Sequence, residues 1–327
     1  MGRRRWWAAA AVGLLQVVVL GSIVLLGPAD DAPHRAPVAL VAPPVLVSAL
    51  SAQVDQMDGQ PLESRGASSA AAARATVADG SLVAAVVLDL TVEQDTVYLA
   101  SANGDDLNGS VQTLLEQIER SFGRDVVVQD VAPTRSGDDD ARGVYVIVGL
   151  CVLLGFGAPI VMTWVRGPVA RTLRLGLVRL GIAAASATGT GLLVALVAAA
   201  RYDTGVGQWW LIAALTLFAS ATVTMALESV FGVLGIGVAV SVLVLSAAWM
   251  TRFASPLMLP EPWATITPWL PAGAALDAAR AEAYFGGGLA QPLQVLAAWS
   301  VLAMLVLGVA RRERERDTAA IAGRLDL

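Results

Sequence analysis

VYVIVGLCVLLGFGAPIVMTWV, residues 144–165, runs for 22 residues without a charge. The hydrocarbon core of a bilayer is about 30 Å thick and takes about 20 apolar residues of helix to cross. RGPVARTLR follows at 166–174, and short arginine-rich connections stay on the cytoplasmic side of a membrane. The pair reads as a helix that leaves the lipid on its inner face. The same reading applied outward gives the whole chain. Five further runs have the length and apolarity of a span: 6–26, 175–200, 208–227, 230–250 and 293–310. Arg179, near the start of the 175–200 run, is expected to snorkel to the interface.

Two other arginine clusters agree with the first. Arg3, Arg4 and Arg5 precede the first run, and Arg311, Arg312, Arg314 and Arg316 follow the last. Six alternating helices put all three clusters on one side, so both termini are expected in the cytoplasm and residues 28–142 outside. Trp6, Trp7, Tyr202, Trp209, Trp210, Trp263 and Trp269 fall near span ends or in an outer connection, as an aromatic belt would. The first run exceeds the apolar core of a signal peptide, about 7–15 residues, and no clean small-x-small cleavage site follows, so an uncleaved anchor is expected. The expected plan is therefore an anchor at 1–27, an outer domain at 28–142, a five-helix membrane domain at 143–310, and a cytoplasmic tail at 311–327. The expected location is the plasma membrane, with lipid as the immediate partner.

Composition supports lipid as part of the solvent. Of 327 residues, 56% are hydrophobic and 15% charged, where soluble domains carry about 25% charged residues. The net charge of −5 hides an asymmetry: residues 28–142 hold 18 of the 27 acids and 7 of the 22 arginines. Lysine is absent, a bias that fits a GC-rich bacterial genome. The acidic surface is expected to serve solubility.

Within 28–142 the periodicity changes. Residues 38–42, 82–90, 96–102 and 125–131 read as strands, and 45–57, 68–78 and the stretch carrying Val111, Leu114, Leu115, Ile118 and Phe122 read as helices. Asn108 or Ser110 is a candidate cap for the last helix. The alternation predicts a small α/β domain. GPADDAPHRAP before it and SGDDDARG after it read as linkers, with Asp138, Asp139 and Asp140 in a solvated tether.

No motif for chemistry is present. The chain lacks a P-loop, G-x-S-x-G, H-E-x-x-H and C-x-x-C, so neither an enzyme nor a cofactor is expected. One His (His34) and one Cys (Cys151) leave only carboxylates for a metal, and none is expected. No nucleic-acid partner is expected either.

Between the fifth and sixth runs, residues 252–292 are rich in proline yet half apolar. Pro256, Pro260, Pro262, Pro268 and Pro271 break any long helix, while Trp263, Ile266, Trp269 and Leu270 favour the interface. This suits a re-entrant segment, tolerated at membrane depth only where it packs on protein or lines a cavity. LPEPWATITPWLPAGAALDAARAEAYFGG at 259–287 and ATVADGSLVAAVVLDL at 75–90 resemble the ABC type-2 transporter permeases, nearest to the phage-infection-protein (YhgE/Pip) branch. The order of one span, a large outer domain, five spans and a proline-rich stretch before the last is similar to that family's plan. The resemblance implies an export permease that works as a dimer with a separate cytoplasmic ABC ATPase. It also implies that Arg166, Arg171 and Arg174 lie in the ATPase-contact loop. The rival expectation is a non-transporting scaffold or receptor whose outer domain binds a cell-envelope partner.

Three features weigh beside that plan. Glu228 sits at a short turn, either as a solvated interfacial carboxylate or as a gate or partner contact. Asp277 and Arg280 form a candidate i,i+3 pair in the re-entrant segment, structural or substrate-facing. Ser186, Thr188, Thr190 and Gly191, with Ser220, Thr222 and Thr224, read as helix-packing residues or as a polar transport lining.

Overall fold

The computed structural model describes residues 32–91, 94–138, 141–167, 172–245, 255–259 and 263–325. The first expected span, with Arg3, Arg4, Arg5, Trp6 and Trp7, lies outside the described residues. So do Arg171, Pro262, Asp139 and Asp140, and the side chain of Arg166.

The α/β domain is a five-stranded sheet in the order β2-β1-β3-β4-β5. The strands are β1 (Ala36–Val41), β2 (Leu62–Gly66), β3 (Ala84–Val87), β4 (Gln94–Leu99) and β5 (Asp125–Asp130). β1 pairs in parallel with β2 and β3, β3 pairs antiparallel with β4, and β4 pairs in parallel with β5. Side chains alternate between sheet faces with a period of two. Val38, Leu40, Val86, Val97 and Leu99 therefore meet α1 (Pro44–Asp55) and α3 (Asp105–Ser121) through Leu50, Val54, Leu107, Val111 and Leu115. Ala39, Ala85 and Ala100 face the other way, toward Ala73 and Val77 of α2 (Ala70–Ala78). Local signals start two of these helices: Pro44 stands in the first turn of α1, and the Ser69 hydroxyl accepts from the Ala72 N–H at the start of α2 (3.2 Å). The cap of α3 is Gly104, at φ 90°, not Asn108 or Ser110; both lie inside the helix, and the Asn108 amide donates to Ala100 O (2.7 Å).

Four helices are long and apolar enough to cross a membrane: Gly143–Val165, Leu173–Tyr202, Val206–Phe231 and Ala290–Arg312. They belong to α4 (Gly143–Arg166), α5 (Leu173–Tyr202), α6 (Val206–Phe231) and α9 (Ala290–Leu325). α6 is the central one, with α5, α9 and α4 packed round it. Glycine sets how closely they approach. A Cβ on Gly155 of α4 would stand 2.5 Å from Leu217 O, and one on Gly191 of α5 would stand 2.9 Å from Ala214 N. The outward faces of α4 and α5 carry Val146, Val161, Val165, Leu193 and Val197, an apolar surface suited to lipid. At 36 residues α9 is about 54 Å long, so it outruns a bilayer core.

The expected fifth span, 230–250, does not form one helix from its start. α6 runs on through Phe231, Gly232 turns at φ 64°, and α7 (Leu234–Ala239) begins afresh, loosening into a π-helical turn at Val240–Leu245. A Cβ on Gly235 would stand 2.3 Å from Leu227 O, so the hairpin closes only with glycine there. Residues 246–250 lie outside the described residues.

The proline-rich segment is a chain of short helical turns: Pro256–Met258, Trp263–Ile266 and Thr267–Trp269. They lead into α8 (Pro271–Arg280), which loosens into a π-helical turn at Ala281–Phe285. It belongs to both halves of the molecule. Met258 and Leu259 join the α1/α3 face of the sheet core, and Tyr284 and Phe285 cover the alanine-rich face. Ala272, Ala275, Leu276 and Ala279 pack into the helix bundle. The leading linker is docked as well, since the His34 N–H donates to Leu257 O (2.7 Å).

Candidate functional site

Two polar clusters lie at opposite ends of the bundle, and a third is buried in the α/β domain.

The first is at the domain-side end. Asp138, expected in a solvated tether, is buried and accepts three hydrogen bonds: from the Gly143 N–H (2.7 Å), the Tyr202 hydroxyl (3.0 Å) and the Tyr284 hydroxyl. It thereby ties the start of α4, the end of α5 and the turn after α8. A Cβ on Gly143 would stand 2.4 Å from the Tyr202 hydroxyl, so that position must be glycine for the clamp to close. Tyr202 stacks on Trp209 (5.5 Å between centroids), whose indole N–H donates to Thr204 Oγ1 (2.7 Å). Both rings are fully buried, so they are not members of a lipid-facing belt; Trp210 and Trp269 remain exposed. With its amide nitrogen turned to the carboxylate, Gln208 donates to both oxygens of Glu282 (2.9 and 3.1 Å).

Arg280 joins the bundle to the domain. Its Nη2 donates to Ala102 O (3.1 Å) and Asn103 Oδ1 (3.2 Å), and its guanidinium lies 6.0 Å from the centroid of Phe285. The expected ion pair with Asp277 is not formed: among the described residues no acid stands within ion-pair distance of Arg280. A cavity of ≈ 420 Å³ opens here, lined by Asp79, Ser81, Asn103, Asp277, Arg280 and Phe285 among others. Phe285 rests on Gly80, which has φ +77° and no room for a Cβ. Trp263, Pro268, Trp269 and Pro271 are not among the residues that line the cavity. The Trp299 indole on α9 donates to Trp269 O (2.7 Å), and Pro271 opens α8 as its first residue.

The second cluster is at the other end. Glu228 is 1% exposed, so it is not a solvated interfacial carboxylate. Its Oε2 accepts from the Thr163 hydroxyl of α4 (2.7 Å), while its Oε1 is buried with no partner among the described residues. Arg179 does not snorkel; it is buried and donates to Gly167 O (2.7 Å), close enough to Glu228 to act on its charge. Arg174 is exposed in the first turn of α5, and Arg312 is exposed near the end of the apolar part of α9, both at this end.

The third cluster is Asp95, Glu119 and Arg124. Asp95 is fully buried and accepts from Arg124 Nη2 (2.8 Å) and Nε and from the Asp89 N–H (2.9 Å). Burial alone would raise its pKa; the bonds from Arg124, Asp89 and Glu119 outweigh that and hold it below the usual range. Burial, then the Asp95 carboxylate alongside, pushes Glu119 up. At mildly acid pH Glu119 therefore keeps its proton and donates it to Asp95, which makes the cluster a structural lock.

The hydroxyls inside α6 are buried, and that of Ser220 has no partner among the described residues. Thr216, Thr222 and Thr224 each bond a carbonyl of their own helix, at 2.7–2.9 Å. Ser186 and Thr188 of α5 face outward. No metal-binding cluster occurs among the described residues.

Compared with known protein families, curated proteins and solved structures, the chain matches none.

Proposed function

We propose that this chain is the membrane subunit of an exporter built like the ABC type-2 permeases, working as a pair of copies with a separate cytoplasmic ATPase. In this reading six helices cross the plasma membrane, the α/β domain stands outside, and the segment around α8 is re-entrant. The arginine-bearing end, with Arg166, Arg174, Arg311 and Arg312, is then cytoplasmic.

One observation carries the reading. The central helix α6 has a buried, half-satisfied carboxylate at its arginine-side end, and α8, packed on its other end, is locked to the α/β domain. A buried ionisable group inside a span is costly and is retained for a role. The Thr163–Glu228 bond links α4 to α6, so sliding one helix past the other must break it. Force applied by an ATPase at 166–174 would enter through α4 and α5 beside that bond. It would leave at the Asp138 clamp and α8, where the outer domain is attached.

The test is co-purification of the tagged full-length chain from its host membrane. A Walker-motif ATPase should follow it, and charge reversal at Arg166, Arg171 and Arg174 together should release that ATPase. Glu228→Gln should keep the complex but lower its ATP hydrolysis several-fold. If no ATPase follows, or the reversal leaves the complex intact, the exporter reading fails. The scaffold reading would then lead, since β5 is an edge strand with Val127 and Val128 exposed, a ready surface for strand pairing with an envelope partner.

A further inference from the structure

We propose that the cavity between the α/β domain and α8 binds a small zwitterion, a molecule carrying an ammonium beside a phosphate, free or as a lipid headgroup. The cavity is independent of the arginine-side end, so this inference stands whether or not the chain exports anything.

The ≈ 420 Å³ space is within the range of small-molecule sites. On its wall lies a buried cation, Arg280, without an anion partner among the described residues. Among the described residues both hydrogen bonds of Arg280 come from Nη2 and go to neutral oxygens, and its Nε is buried with no acceptor. A guanidinium presents a planar fork that matches phosphate oxygens in pairs. One turn earlier on the same helix, Asp277 lines the cavity, and its carboxylate accepts no hydrogen bond among the described residues. Asp277 and Arg280 stand three apart on one helix and both line the same cavity, so an ammonium and a phosphate of one small molecule can face them together.

The two charges are not paired, although Arg280 is near enough to act on Asp277. Arg280 is held by Ala102, Asn103 and the Phe285 ring, so the guanidinium is fixed before any ligand arrives. Leu82, Val83, Leu107 and Leu257 supply an apolar wall against which a short alkyl link would lie. The site is beside the domain-side ends of the spans, at the level where lipid headgroups gather, so a lipid can reach it as well as a free solute.

The test uses the full-length chain in two arms. In neutral detergent, ethanolamine phosphate and choline phosphate are titrated by calorimetry. In nanodiscs, phosphatidylethanolamine and phosphatidylcholine with the same acyl chains compete, and retained lipid is read by native mass spectrometry. The expected result is a preference for the ethanolamine form, because a trimethylammonium has no N–H for Asp277. Preference in the first arm names a free solute, and preference in the second alone names the lipid. Asp277→Asn removes no hydrogen bond from the fold and should weaken binding about tenfold. Ser81→Trp, filling the cavity from the domain side, should abolish it. No preference in either arm, or a preference unchanged by both variants, overturns the proposal.

Discussion

Glu119 keeps a proton that the unfolded chain would release near pH 4.5, because burial and the Asp95 carboxylate raise its pKa to about 7. A group whose folded pKa is raised stabilises the fold below its unfolded value and loses that contribution as pH rises through the folded one. Asp95 has the opposite sign: its lowered pKa contributes above about 3.8 and is lost on acidification. The α/β domain should therefore be most protected at mildly acid pH and loosen between about pH 4.5 and 7. Hydrogen exchange of β4 and β5 in the full chain, corrected for intrinsic rates, should show that fall, and Glu119→Gln should flatten it. An unchanged slope in the variant would remove Glu119 as its source. At the other end of the molecule, Thr163→Val leaves the buried Glu228 carboxylate without its one donor among the described residues. An unsatisfied buried acceptor costs about 1–3 kcal/mol, more for a charged one. The melting temperature in detergent should drop accordingly, and less in Glu228→Gln, where the Thr163 hydroxyl keeps an acceptor. Single residues of this kind were the least legible feature of the sequence. Asp138 sits in SGDDDARG, a composition that describes a linker, and its partners Tyr202 and Tyr284 are 64 and 146 residues away. Nothing local announces such a clamp. Glu228 was visible as an ionisable residue between apolar runs, but its burial depends on α4 crossing over it.

The elements were read better where one face decides them. The apolar run at 144–165 grew only to Gly143–Arg166, since a span is fixed by length and hydropathy. The strand Leu62–Gly66 gave no signal, because LESRG lacks alternation and forms through pairing with β1 at the sheet edge. The turn expected at Glu228 falls instead at Gly232, because hydropathy is the same on both sides of it and backbone geometry alone ends α6 there. The glycines within spans carry information of a different sort. Gly155 and Gly191 are where α4 and α5 touch the backbone of α6, whereas Gly149, on the same helix as Gly155, has nothing within 4 Å of a Cβ. Gly155→Ala and Gly191→Ala should each push a helix away from α6 and destabilise by about 1–3 kcal/mol, the usual cost of overpacking. Gly149→Ala should be neutral or stabilising by up to about 1 kcal/mol, because alanine is the better helix former. Thermal unfolding of the three variants in one detergent separates the cases. Equal effects at all three positions would mean that α6 is not held at those two crossings.

At the scale of the molecule, the domain and the bundle are one unit because three unrelated contacts cross between them. These are Arg280 on the turn at Ala102 and Asn103, Asp138 under Tyr202 and Tyr284, and Met258 and Leu259 in the sheet core. Sequence order already predicted a folded insertion beside apolar helices. It did not predict that the proline-rich segment would be the part shared by both, because prolines and tryptophans signal interruption and interface but not a partner. This welded arrangement makes the transmembrane orientation testable at few positions, since the whole domain must lie on one side of the lipid. Cys151 is buried and can be replaced by Ser to give a thiol-free background. In that background Gln53→Cys, on the exposed side of α1, should react with a membrane-impermeant maleimide added to intact cells. Arg312→Cys, exposed where the apolar part of α9 ends, should react only after the membrane is opened. The reverse pattern would invert the topology and place the acidic domain in the cytoplasm. Labelling of both sites in intact cells would mean that the span of α9 does not separate the two compartments. In the proposed orientation the acidic domain outside and the arginines inside would both follow from a single physical bias, the retention of positive charge on the cytoplasmic face. Both positions must therefore agree for the orientation to stand.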